Sequence, residues 1–323
     1  MMRSLSIYQD FVEAEITSYN LPASPNNLYE PITYFLGLGG KRMRPVLALM
    51  SAELFGSPFE AAKDAALSVE LFHNFSLIHD DIMDAAPLRR GKKTVHKKWS
   101  ENVGILSGDA LLIEAYKTLA NYPPEILAKL LPVFNKTATE VCEGQQWDMD
   151  FETMETVKIN AYIKMIAYKT AVLVGCSLKM GAIVAGASDS DANDLYDFGV
   201  NLGVAFQIQD DILDVYADQN KFGKQVGGDI IANKKTFLLL KAMETANEAQ
   251  LRELKALSTT DDTAQKIDQT MAIYGALDIK AKATDKMNEY HDMAMENLAH
   301  IALPEEKKTP LRDLAEFLLG REH

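Results

Sequence analysis

The chain has 323 residues, 47% of them hydrophobic and 24% charged, and 33 basic against 46 acidic side chains leave a net charge of −13. That length is ample for a sizeable core, and the composition is that of a soluble globular protein. The charge argues against nucleic acid or an anionic membrane as the main partner, and two cysteines without a CxxC pair argue against a disulfide scaffold or zinc site.

Met1 to Phe11 carries one early Arg3 and lacks an apolar stretch with a small-residue cleavage site, so no signal peptide is expected and the location expected is cytoplasmic. The first chemistry-bearing segment is Gly39-Gly40-Lys41-Arg42-Met43-Arg44-Pro45. Glycines let backbone approach a ligand, a helix start favours anions, and Lys41 and Arg44 add full charges. Pro45 suits the first turn of a helix ending near Phe55.

Leu67-Leu71-Phe75-Ile78 recurs at a helical period and leads into Asp80-Asp81-Ile82-Met83-Asp84. A break from Ala86 to Lys93 follows, with six cations between Arg89 and Lys98. Ala171 to Ala187 is the most apolar stretch; interrupted by Lys179 and three glycines, it is too short and broken for a membrane span and is expected as a buried helix. Ser188-Asp189-Ser190-Asp191 offers caps to a helix running through Leu195-Phe198-Leu202-Phe206. That helix brings a second acidic pentad, Asp210-Asp211-Ile212-Leu213-Asp214. Gln207 stands three residues before it, and Lys169-Thr170 interrupts the apolar run upstream. Beyond it lie Phe222-Gly223-Lys224 and Lys234-Lys235-Thr236.

On a helix, positions i and i+4 share a face, pairing Asp80 with Asp84 and Asp210 with Asp214. Such carboxylates repel by roughly 4 kcal/mol per pair at about 4 Å in an effective dielectric near 20. A cation relieves this, and hard oxygen donors suit Mg²⁺, which completes its shell from water and a substrate phosphate. Alternating strand-like runs are absent and no linker separates halves, so one all-α domain over residues 1–323, of about ten or more helices, is expected.

These motifs, in this order and over nearly the whole chain, resemble the trans-isoprenyl diphosphate synthases, or polyprenyl synthetases. The matching elements are Gly39 to Pro45, His79 to Asp84 with its trailing Arg89-Arg90-Gly91, Gly108-Asp109-Ala110-Leu111-Leu112, Lys169-Thr170, Phe206 to Asp214, Gly223-Lys224 and Lys234-Lys235-Thr236. The resemblance implies a helical bundle around a deep cavity, acting as a homodimer. It implies that Asp80, Asp84, Asp210 and Asp214 hold Mg²⁺, three ions per site with substrate bound and Mn²⁺ as a possible substitute. Asp81, about 100° round the helix, is expected to act from behind them. Arg89, Lys169, Lys224 and Lys234 are expected on the allylic diphosphate, with Thr170 and Gln207 near the developing cation. Gly40, Lys41, Arg44, His73 and Arg90 are expected to hold isopentenyl diphosphate. The residues assigned directly to catalysis are Asp80, Asp84, Asp210, Lys169 and Gln207.

By the same resemblance Phe75 and Ser76, one turn before Asp80, set product length. A Phe followed by a small residue matches short-chain enzymes making the C20 geranylgeranyl product. A C15 farnesyl synthase is the alternative; a longer-chain synthase, a terpene cyclase and a non-catalytic partner subunit are more remote. Tyr116 and Leu119 are candidates for a deeper floor.

Overall fold

The computed structural model describes residues 3–217 and 227–320. Among them the fold is all-α apart from one two-stranded hairpin. The chain divides into two compact units, one comprising Met1–Asn135, Cys176–Asn193 and Leu303–Lys307, the other Lys136–Gly175, Asp194–Ala302 and Lys308–His323.

The first unit contains α1 (Leu5–Thr17), α2 (Asn26–Leu36), α3 (Met43–Leu54), α4 (Lys63–Met83), α5 (Val95–Lys98) and α6 (Glu101–Leu119). Pro45 falls in the first turn of α3, as its fixed φ and missing N–H favour. Helix α4 packs chiefly on α6 and α3. Its apolar stripe buries Leu67, Leu71, Phe72 and Ile78, each contributing roughly 1.5–3 kcal/mol over an exposed position. The one departure from helix is the segment after α4: β1 (Leu88–Arg89) pairs with β2 (Lys92–Lys93), and Arg90-Gly91 form the turn with positive φ of 52° and 73°. Two-residue hairpins take such turns because their twist matches that of the strands. At two residues per strand, the pattern offers no alternation to read.

A buried cation ties this unit together. Arg42 opens α3 with a left-handed φ of 50°. Its Nη1 donates to Glu70 Oε1 at 2.6 Å, its Nε to Glu13 Oε1 at 2.7 Å and its Nη2 to the Leu36 carbonyl at 2.7 Å. The Asn74 amide donates to the Glu70 carboxylate and carbonyl. One guanidinium thus joins α1, the end of α2, the start of α3 and the middle of α4. Burial opposes its charge, but the bonds to Glu13 and Glu70 more than offset that and raise its pKa.

The second unit contains α8 (Ile159–Ile166), α11 (Gly228–Ile231), α12 (Phe237–Thr245), α13 (Glu248–Leu257), α14 (Thr263–Ala276) and α15 (Ile279–His300). Residues of α7 (Pro124–Thr153), α9 (Val172–Val184), α10 (Asp189–Tyr216) and α16 (Glu305–Leu319) are divided between the units. The core of the second unit gathers Tyr162, Ile166, Val204, Ile208, Ile212, Leu238 and Ile279. Ser188 caps α10 by accepting the Asp191 N–H at 3.1 Å, and the helix continues past Phe206 to Tyr216.

Several breaks carry no strong signal in the sequence. Residues 154–158 part α7 from α8 without a glycine or proline. Asn247 starts α13 with a capping box closed by Gln250, and Asp278 starts α15 in the left-handed region at φ 53°. The run Ile159–Val184 is long and apolar enough to cross a membrane by length and composition, yet 61% of its most apolar window is buried inside the fold.

Replacing Arg42 by Ala leaves Glu70, only 3% exposed, as an uncompensated buried charge. The expected loss of stability is about 3–5 kcal/mol by urea denaturation, and the double replacement R42M/E70L should recover much of it. Equal losses in the single and double variants would show that packing, not charge pairing, gives Arg42 its importance.

Candidate active site

Three carboxylates within five helical residues cannot share one face, and in the first unit Asp81 turns inward. It is 1% exposed, and Arg89 Nε lies 2.8 and 2.9 Å from its two oxygens. Burial raises the Asp81 carboxyl to about 6 despite the opposing pull of Arg89. Asp84 is exposed and Asp80 half-buried, one turn apart, the Asp84 N–H donating to the Asp80 carbonyl at 2.9 Å as in regular helix. Arg89 Nη2 also reaches Asp80 at 3.4 Å, so this guanidinium joins the hairpin to the acidic motif.

A second group in the same unit is purely basic. Arg44 Nη1 lies 3.2 Å from His73 Nε2. Desolvation, then Arg44, Arg90, Arg89 and Arg42, push the His73 pKa well below its ordinary value. Because a guanidinium only donates, the neutral ring accepts on Nε2 and carries its proton on Nδ1. Desolvation also lowers Arg44 and Arg90. Gly40 has φ 145°, and a Cβ there would come within 2.7 Å of Arg90 Nη2. Glycine is required for the Arg90 guanidinium to lie against the backbone. Gly40, Arg44, His73 and Arg90 are therefore together, as expected; the exposed Lys41 follows directly in the chain, its carbonyl bound by the Gln9 amide at 3.0 Å. The middle cation of the segment, Arg42, has the structural role described above.

Before Asp80 on α4, ring contacts form a line: His79 edge-on to Phe75 at 4.8 Å, Phe75 tilted against Phe72 at 5.4 Å, Phe72 edge-on to Phe134 at 5.4 Å, and Phe134 edge-on to Tyr116 at 5.0 Å. Phe75 and Tyr116 thus belong to one contiguous aromatic wall. Phe72 and Phe134, which complete it, were not singled out by the sequence, because a buried Phe on an apolar stripe resembles any core residue. Ser76, half-buried, donates to the His73 carbonyl at 2.8 Å. Leu119 is fully buried.

The second unit repeats the logic of the first. Asp211 is the inward member: Tyr162 OH donates to it at 2.6 Å and the Phe237 N–H at 2.9 Å. Burial raises its carboxyl to about 7 although both hydrogen bonds oppose this. Asp210 is exposed, with the Gln207 amide 3.4 Å away. Asp214 accepts the Asp229 N–H at 2.9 Å. Lys234 lies 3.6 Å from Asp229, so Asp214, Asp229 and Lys234 form a chain of contacts.

Lys169 and Thr170 lie on a π-turn, Ala167–Ala171, between α8 and α9, a local widening common at functional sites. Lys169 Nζ bonds Asp148 at 2.5 Å. A Cβ at Gly144 would run into the Lys169 backbone, so glycine is what lets α7 pack against the turn. Asp148 and Gly144 were missed by the sequence reading, since single acidic and glycine residues in a long helix carry no spacing signal. Lys224 lies outside the described residues.

The donor set fits Mg²⁺. Each motif offers outward carboxylate oxygens alone, and among the described residues no group of three or more His, Cys, Asp or Glu side chains stands ready to cage a metal. Mg²⁺ asks for no more than one or two carboxylates plus substrate phosphates.

The polyprenyl synthetase family model matches residues 25–277. A geranylgeranyl diphosphate synthase of Methanosarcina mazei is 38% identical over 323 residues, covering 97% of this chain and 95% of that protein. A geranylfarnesyl diphosphate synthase of Natronomonas pharaonis is 33% identical over 336 residues, covering 96% and 94%. A crystal structure of a geranylgeranyl pyrophosphate synthase matches with a TM-score of 0.94 and 44% identity over 100% of both chains. An all-α chain carrying both acidic motifs and matched over this span belongs to the polyprenyl synthetase family, and is a prenyltransferase.

Proposed function

We propose that the protein condenses isopentenyl diphosphate with an allylic diphosphate to all-trans geranylgeranyl diphosphate, the C20 product. The observation that carries this is the common build of the two acidic motifs: each ties its middle aspartate to a neighbouring segment, Asp81 to Arg89 and Asp211 to Tyr162 and the Phe237 N–H, and leaves the i, i+4 pair for a ligand. The carboxylate-free group of Gly40, Arg44, His73 and Arg90 supports a second, separate diphosphate, which a cyclase acting on one substrate does not need.

Mg²⁺, three ions with substrate bound or Mn²⁺ in its place, would be held by Asp80, Asp84, Asp210 and Asp214 and would neutralise charge on the leaving pyrophosphate. Arg89, Lys169, Lys234 and, outside the described residues, Lys224 donate to the allylic diphosphate. Their stabilisation grows as the carbon–oxygen bond breaks and charge moves onto the leaving oxygens. Arg89 can turn from Asp80 to a phosphate while Asp81 keeps its Nε fixed. The Gln207 amide oxygen and Thr170 hydroxyl face the positive carbon. Lys41, Arg44, Arg90 and neutral His73 hold isopentenyl diphosphate, whose double bond attacks that carbon. The proton then lost passes to the departing pyrophosphate; no side chain described here is placed as a dedicated base.

The aromatic wall from Phe75 through Phe72 and Phe134 to Tyr116 supports a short product, as does the higher identity to a geranylgeranyl than to a geranylfarnesyl synthase. The protein would act in the cytoplasm as a homodimer, for which exposed Ile105, Leu106 and Ile113 on α6 supply an apolar face.

Incubating the purified protein with Mg²⁺, isopentenyl diphosphate and dimethylallyl, geranyl or farnesyl diphosphate should yield a C20 diphosphate as the main product; no elongation from any primer would overturn the assignment. Phe75→Ala should lengthen the product, and an unchanged product distribution would remove Phe75 from the floor. Lys169→Ala should lower kcat by about a hundredfold, the order of one lost electrostatic donor. Arg90→Ala should instead raise KM for isopentenyl diphosphate with kcat little changed, as loss of uniform binding does. Steady-state kinetics with each substrate varied separately would expose a reversed pattern.

A further inference from the structure

Within the second unit a cavity of about 410 Å³ opens among α11, α12, α13 and α14. That volume falls in the range of about 300–1,000 Å³ typical of small-molecule sites. Its walls are apolar, with Ile230, Leu239, Met243, Leu254 and Leu257 facing it. Four lysines also line it: Lys234, Lys235, Lys255 and Lys266. Two are balanced by carboxylates in the same lining, Lys234 by Asp229 at 3.6 Å and Lys255 by Glu155 at 3.2 Å. The other two meet carbonyl oxygens, Lys235 that of Glu152 at 3.1 Å and Lys266 that of Ile231 at 2.9 Å.

Lys266 is the unusual one, being only 5% exposed. An ammonium has three protons to donate, and one neutral carbonyl offsets little of the cost of taking it out of water. Thr270, one turn along α14 and 5% exposed, brings a hydroxyl to the same lining. Burial lowers the Lys266 pKa, and beside its bond to the Ile231 carbonyl no carboxylate among the described residues is paired with it.

We propose that this cavity is a second ligand site, for an amphiphilic anion whose phosphate or carboxylate head is neutralised by Lys266, with Lys235 in the same lining, and whose hydrocarbon tail lies along Ile230, Leu239, Leu254 and Leu257. Binding through Lys266 and Lys235 needs no metal; Asp229 and Lys234 of the same lining adjoin the diphosphate site proposed above, so the two are told apart by removing metal.

The test is isothermal titration of the full chain in excess EDTA with dodecyl phosphate and with dodecanoate, each below its micelle concentration. Inorganic phosphate and dodecanol serve as controls. The expected result is saturable one-to-one binding of one or both amphiphiles, at least about tenfold tighter than either control. The stronger of the two arms identifies the head group. Lys266→Met should weaken that binding by about tenfold, the order of one lost charged hydrogen bond, and Ser258→Trp, at the rim, should obstruct it. Neither should change the rate of prenyl transfer. Should Lys266→Met fail to fold, Ser258→Trp carries the comparison. Absence of binding by both amphiphiles, equal binding by a control, or unchanged affinity in the folded variants would overturn the proposal, whether or not the protein elongates prenyl chains.

Discussion

Everything about each acidic motif begins with the mutual repulsion of three aspartates within one and a half helical turns. At about 100° per residue, the first and last fall on one face and the middle one cannot join them. In the first unit Asp81 resolves the conflict by accepting Arg89; in the second, Asp211 accepts Tyr162 and the Phe237 N–H. Different partners serve one end. Each middle carboxylate becomes a fixing point for a neighbouring segment, the hairpin in one case and the start of α12 in the other. Those segments carry or adjoin the cations Arg89, Arg90 and Lys234, so the charge problem within the motif also positions the groups around it.

The cost is visible in protonation. Burial pushes Asp81 to about 6 and Asp211 to about 7, while Asp80 keeps Arg89 beside it at 3.4 Å. In the first unit a second economy operates: His73 sits among arginines, and desolvation together with their charge keeps it neutral. A neutral imidazole accepts from Arg44 and orients it, where an imidazolium would repel it. Charge-assisted donors held this way need little reorganisation when an anion arrives, which is the property an electrostatic catalyst requires.

Two glycines show how backbone approach was made possible. At Gly40 the missing side chain makes room for Arg90, and at Gly144 it lets one helix lie against the π-turn bearing Lys169. Both sit beside a cation rather than in a loop tip. The aromatic row of Phe75, Phe72, Phe134 and Tyr116 is fixed by packing, since Phe72 and Phe134 are fully buried and each ring pair adds about 0.5–1.5 kcal/mol beyond burial.

The sequence by itself determined the helical class, because a 3.6-residue period runs through nearly every apolar segment, and its acidic pentads pointed to a phosphorylated substrate, the prenyl diphosphates entering through the resemblance that the ordered motifs carry. By resemblance it also named Gly40, Arg44, His73 and Arg90 for one ligand, and in the structure Arg44 meets His73 and Arg90 lies against Gly40. What only the tertiary structure decided is which charges face inward. Arg42 and Arg44 look alike in the chain, yet Arg42 is locked by Glu70 and Glu13 while Arg44 meets His73. Asp148, Phe72, Phe134 and the buried Lys266 carry no spacing signal at all. Their partners lie tens of residues away in the chain, as Asp148 does from Lys169, and a contact between distant segments is a property of packing, which local periodicity does not encode.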